Sequence, residues 1–183
     1  MSIELHRRLE NLIRLGKIKT IHPSKPFSTV TVNLGAITTG KLRFISLRTG
    51  ADQTWDPPSI GEEVIVFSPS GVLEMGVVIY GLNNKDNPAI SDDLNKKIRL
   101  FEDGCILSYD VKTHHLEAVL PEGGTVDIVA DVHITGKLSV SETITAEKDI
   151  STSADVKAGN ISLKSHKTSG VRGGSENSGV PIP

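Results

Sequence analysis

At 183 residues the chain has room for one or two domains, and 37% hydrophobic residues with 17 glycines put it in the globular range rather than the disordered one. Its 20 Lys and Arg against 22 Asp and Glu leave a net charge of −2, which removes any bulk electrostatic drive toward nucleic acid or anionic membrane. The single cysteine, Cys105, excludes intrachain disulfides, and no stretch approaches the roughly 20 apolar residues of a membrane span.

Residues 2–15 are predicted to be helical. Ser2 is the cap, Leu5, Leu9, Leu12 and Leu15 recur at three- and four-residue spacing, and Gly16 closes the pattern. The charged face is either solvated or frames a helix that docks a partner. Met1–Arg8 has charges with no apolar region behind them, so no signal peptide is read and synthesis in a cytoplasm is expected. From Lys17 to Leu82 the pattern is one of strands: Lys17–Ile21, Thr29–Leu34, Lys41–Leu47, Glu63–Phe67 and Met75–Tyr80. Turn residues separate them at His22-Pro23, Thr39-Gly40, Pro57-Pro58, Pro69-Ser70-Gly71 and Gly81. Five short strands in this length predict a small antiparallel barrel or sandwich, with the OB-type barrel as the nearest standard form. Residues 83–96 are polar and turn-rich and are read as a linker.

Strands are expected again at Lys97–Phe101, Cys105–Val111, His115–Leu120 and Thr125–Ile134. From Val126 to Ala146 apolar and polar residues alternate: Val126, Ile128, Ala130, Val132, Ile134, Leu138, Val140, Ile144 and Ala146 hold even positions, and only Gly136 and Glu142 break the row. Every Phe, Tyr and Trp lies in the first 109 residues, so nothing after Asp110 can supply a ring to a monomeric core. Across Gly159-Asn160 the parity flips to Ile161 and Leu163, as a turn or bulge does to a strand. The rival readings of this half are a flexible tail and a second β-sandwich. The favoured one is an intertwined β-prism, in which three chains supply aliphatic faces to a shared axis too narrow for rings.

No catalytic constellation is found. Glu62-Glu63, Asp92-Asp93 and Glu102-Asp103 fall in turn-rich stretches where carboxylates are solvated, and no nucleophile elbow, phosphate loop or zinc spacing occurs. Cys105 beside Ile106 and Leu107 is read as a buried small hydrophobe. His114 and His115 would face opposite sides of a strand, His133 points outward, and His6 and His22 are assigned to a helix and a turn. An oligonucleotide- or oligosaccharide-binding OB module is one alternative function, with Lys41, Arg43, Arg48 and Trp55 as candidates, although Trp55 beside two prolines reads as a packed turn. A trimeric adhesin or fibre is the other.

A set of landmarks runs the length of the chain: Leu15-Gly16-Lys17-Ile18, Trp55-Asp56-Pro57-Pro58, Gly61-Glu62-Glu63-Val64, Ser68-Pro69-Ser70-Gly71, Gly76-Val77-Val78-Ile79-Tyr80-Gly81 and Asn87-Pro88-Ala89. Near the end come Gly159-Asn160-Ile161-Ser162-Leu163-Lys164-Ser165-His166, Ser169-Gly170-Val171 and Ser178-Gly179-Val180-Pro181. In this order and spacing the chain resembles baseplate assembly protein V, the central tail spike of contractile phage tails and related bacteriocin particles. The resemblance implies a mainly β homotrimer: N-terminal helix (1–16), OB-fold barrel (17–82), linker (83–96), triple-stranded β-helix shaft (97–165) and pointed apex (166–183). It implies a structural, non-enzymatic part of the virion tail baseplate, attached to hub and tail-tube proteins, driven through the bacterial outer membrane when the sheath contracts, and with no nucleic acid as partner.

The family apex carries His-x-His, so that three chains present six imidazoles to one buried iron ion. In this chain the motif reads His166-Lys167-Thr168, with Thr168 in place of the second histidine. Two outcomes stay open: three copies of His166 hold the metal with water, hydroxyl or an anion completing the shell, or the tip is closed by packing and by hydrogen bonds from Thr168 and the Ser/Gly turns. Gly170-Val171-Arg172-Gly173-Gly174 is read as a fold-back at the tip rather than a phosphate cradle.

Overall fold

Ser2 opens helix α1 (Ile3–Asn11): its backbone is extended and its hydroxyl accepts the Leu5 N–H at 3.2 Å, with Glu4 in the first turn. The helix stops at Asn11, four residues before the sequence expectation. Strand β1 (Ile13–His22) already begins at Ile13, because Ile13–Lys17 pair with Phe67–Glu63 and the ladder outcompetes helix propensity. Gly16 is therefore no helix stop. It sits in mid-strand where a Cβ would lie 2.5 Å from the Asn33 carbonyl oxygen and 2.6 Å from Val32 Cγ1, so only glycine lets the strands close. His22 is likewise the last residue of β1 rather than part of the turn.

The computed structural model describes residues 2–166, and these divide into two units after Val126. In the first, β1 joins β2 (Thr29–Asn33), β3 (Leu42–Phe44), β4 (Glu63–Phe67) and β5 (Val77–Leu82) in a closed barrel of order β1-β2-β3-β5-β4. Only β3 and β5 run parallel. This is the five-stranded Greek-key closure of an OB fold. Alternating residues point inward: Val30 and Val32, Val64 and Val66, with Ile18, Leu34, Leu42 and Val78 completing the core. Burying a Val or Leu side chain stabilises by roughly 1.5–3 kcal/mol. α1 rests on the short 3-10 turn Pro69–Gly71, where Gly71 lies against the Arg8 backbone and the Ser68 N–H donates to the Leu12 carbonyl at 2.9 Å.

Residues 83–95 contain no strand, as expected. They lead to an antiparallel meander of β6 (Lys96–Leu100), β7 (Ile106–Asp110) and β8 (His115–Val119), close to three of the strands read from sequence. His114 lies in the β7–β8 turn with a left-handed φ of 57°, not on the strand. Cys105 precedes β7, half-buried rather than buried, its N–H donating to the Asp103 carboxylate.

The strand expected at 125–134 forms no ladder. A strand needs a neighbour for its backbone N–H and C=O groups, and among the described residues no strand pairs with residues 125–134. In the second unit the backbone instead bends at 130, 135–136, 141–142, 147–148 and 153–154, a recurrence of six residues. A two-stranded hairpin follows, β9 (Lys157–Ala158) with β10 (Ile161–Ser162), turning through Gly159-Asn160 with Gly159 at φ +60°. The parity flip in the sequence is that turn.

Candidate functional site

The six-residue bend gives the alternating run a second level of order. Divided at the bends, the segments are 125–130, 131–136, 137–142, 143–148, 149–154 and 155–160. Their second residues are Val126, Val132, Leu138, Ile144, Ile150 and Val156, all aliphatic. Their fourth residues are Ile128, Ile134 and Val140, then the smaller Ala146, Thr152 and Ala158. Gly136 and Glu142, the two exceptions to the period-2 row, both fall at a bend. The aliphatic columns are uncovered in the single chain, with Ile134 52% and Val140 45% exposed.

His166 follows β10. Its backbone N–H donates to the Ser162 carbonyl at 2.9 Å, and its Nδ1 lies 3.0 Å from the Leu163 carbonyl oxygen. Donation from Nδ1–H to that carbonyl leaves the Nε2 lone pair outward, the tautomer a metal-ligating histidine uses. In the trimer that the resemblance implies, one imidazole per chain would supply three nitrogens, half of a six-nitrogen shell. Among the described residues no group of three or more His, Cys, Asp or Glu within the chain is placed to hold a metal. Thr168 and residues 170–174, where a fold-back is expected, lie outside the described residues. Just before His166, the Asp155 carboxylate is held below its ordinary value by the Ser162 hydroxyl and then by the Lys164 and Val156 N–H groups, which ties the hairpin together.

The other histidines stand apart. His6 pairs with Glu10 at 3.1 Å on α1, His22 Nε2 meets the Thr20 hydroxyl at 2.9 Å, and His133 Nε2 meets the Thr135 hydroxyl at 3.2 Å, exposed.

Two ion pairs, unforeseen in the sequence, fasten the segments flanking the barrel. Lys17 Nζ meets Asp86 at 2.5 Å, and Arg99 Nη2 on β6 meets Asp56 at 2.7 Å. Asp56 is itself positioned because the Tyr80 hydroxyl donates to its carbonyl at 2.8 Å. Burial, followed by the Asp56 charge, pushes the Tyr80 phenol above its ordinary value. Trp55 departs from the packed turn expected of it: the residue is 67% exposed.

Residues 14–82, the barrel, match the family described as the Type VI secretion system/phage-baseplate injector OB domain. The chain is also 30% identical over 141 residues, 77% of its length, to a protein named Spike protein from Escherichia phage P2. The match spans 62% of that relative, under two thirds of it. The resemblance to the central-spike family of contractile tails thus holds, and its firmest part is residues 14–82 as an injector OB domain.

Proposed function

We propose that the chain is the central spike of a contractile-tail baseplate, a homotrimer whose C-terminal half is a triple-stranded β-helix. The observation that carries this reading is the six-residue recurrence of bends and aliphatic residues over 125–160, in a chain whose residues 14–82 match an injector OB domain. An extended segment with a row of open backbone groups and a row of open aliphatic side chains satisfies both when identical copies wind about it. The change in the fourth column, from Ile128, Ile134 and Val140 to the smaller Ala146, Thr152 and Ala158, suits a shaft that is narrower over its later segments.

The role is mechanical. Sheath contraction supplies the energy, and a shaft paired across three chains transmits it to the bacterial outer membrane. α1 and the barrel face the hub and tail tube, where half-exposed Leu5 and Leu9 offer apolar contact. The protein is not an enzyme, takes no nucleic acid partner, is made in the host cytoplasm and resides in the virion tail baseplate or an equivalent bacteriocin particle. At the apex, His166 from each of three chains would hold one iron ion, which would close the tip. Iron in about one-third equivalent per chain, lost on His166→Ala, is the expected elemental analysis.

Light scattering on the full chain beside a chain ending at Gly124 tests assembly. A trimer for the full chain and a smaller species for the truncation are expected; a full-length monomer would overturn the shaft and the spike together.

A further inference from the structure

On the barrel surface the β1–β2 loop, β3 and the β3–β4 loop enclose a cavity of about 530 Å3 that the spike role does not use. Phe27 and Trp55 present rings to it, 55% and 67% exposed. Phe44 anchors Trp55 from behind, its ring tilted against the indole at 6.4 Å and edge-on to Tyr80 at 6.0 Å. The Arg43 guanidinium lies 5.7 Å over the Phe27 ring and has no carboxylate partner among the described residues. Arg48 is held by Asp52 at 3.0 Å and, through its backbone, by the Thr54 hydroxyl at 3.1 Å, which with the Thr49–Gln53 bridge fixes the loop. The cavity lining includes no carboxylate.

We propose that this groove binds a phosphorylated saccharide. The exposed rings of Trp55, backed by Phe44, and of Phe27 accept the C–H faces of pyranoses, and the hydroxyl and amide groups of Ser46, Thr49 and Gln53 suit sugar hydroxyls. The phosphate goes to Arg43, the unpaired cation, whose fork of donors matches its oxygens. The volume falls within the roughly 300–1,000 Å3 of small-ligand sites. A single strand of nucleic acid fits less well: it calls for a row of cations along its backbone, whereas this lining offers two arginines, one already paired. The site stands whether or not the chain is a spike, since it uses only the barrel.

Trp55 is the chain's one tryptophan, so its emission reports the groove directly. The full-length protein is titrated with the phosphorylated core oligosaccharide of lipopolysaccharide freed of acyl chains, with the same oligosaccharide after dephosphorylation, with hexathymidylate, and with intact lipopolysaccharide vesicles. A saturable emission change with the phosphorylated sugar is expected, weakened about tenfold or more by dephosphorylation and by Arg43→Gln, as loss of a charge-assisted hydrogen bond implies. Phe27→Ala weakens it comparably through the lost platform, and Lys137→Gln, in the other unit, leaves it unchanged. No saturable change, full affinity in Arg43→Gln, tighter binding of hexathymidylate, or a response to vesicles alone would each overturn the proposal.

Discussion

Glu4 accepts hydrogen bonds from both Arg7 and Arg8, at 2.8 Å and 2.7 Å, and these pull its carboxyl from an ordinary 4.5 down to about 2. A depressed carboxylate stabilises the fold fully above its unfolded value, and that contribution fades as pH falls from about 4.5 toward 2. NMR titration of the Glu4 side chain should give a midpoint near 2 in the native protein and one near 4.5 in Arg7→Gln/Arg8→Gln; a native midpoint at the ordinary value would show that the pairs do not persist in solution. At Gly16 the constraint is steric. Gly16→Val drives methyl groups into the Asn33 carbonyl and Val32, and overpacking of this kind costs about 3 kcal/mol. Gly40→Ala, where a Cβ meets nothing within 4 Å, should change stability by less than about 0.5 kcal/mol. Urea unfolding of the two variants makes the comparison, and equal stabilities would mean the β1–β2 approach relaxes without cost.

Among the elements, the barrel strands were legible because turn residues bracket short β-branched runs, and β4 matches its expected limits at Glu63–Phe67. The helix boundary was not. Leu12 and Leu15 keep helical spacing, yet Ile13–Lys17 take strand partners at Phe67–Glu63, a tertiary fact that local spacing does not carry. The ion pairs from Asp86 and Asp56 were hidden for the same reason, and the exposed groove ring was masked by the prolines beside Trp55. His166 was legible as a motif position, but its orientation by the Leu163 carbonyl was not. The two ion pairs lead to a prediction about the segment between them. With Lys17–Asp86 and Asp56–Arg99 in place, residues 83–95 are fastened at both ends. Asp86→Asn/Arg99→Ala should speed limited proteolysis within 83–95 while the barrel remains resistant. The native protein should behave the same way near 1 M salt, where the Debye length falls to about 3 Å and exposed pairs are screened. Cleavage rates insensitive to both changes would show that backbone contacts alone hold the segment.

At the scale of the whole molecule the question is whether residues 125–160 obey a period of two or of six. A flat strand with one buried face needs only parity, so removing any even number of residues keeps its aliphatic row on one side. A shaft of chains that bend every six residues needs the bends in phase as well, and only a deletion of six or a multiple of six preserves both. Deleting Lys137–Glu142 removes one segment whole, joining Gly136 to Thr143 and leaving Ile134 and Ile144 in their columns. Deleting Lys137-Leu138 keeps parity but moves every later bend by two positions, setting Glu142 and Lys148 where an aliphatic fourth residue belongs. Buried on a shared axis, such charges would carry a desolvation cost of several kcal/mol each. The six-residue deletion should therefore assemble like the native chain, and the two-residue deletion should not. Ile134→Asp and Val140→Asp should fail in the same way, whereas Ser139→Asp, on the polar parity, should assemble. Sedimentation of these variants separates the alternatives: assembly of the two-residue deletion would reduce the repeat to simple alternation, and failure of the six-residue deletion would remove the hexad as the unit of the shaft.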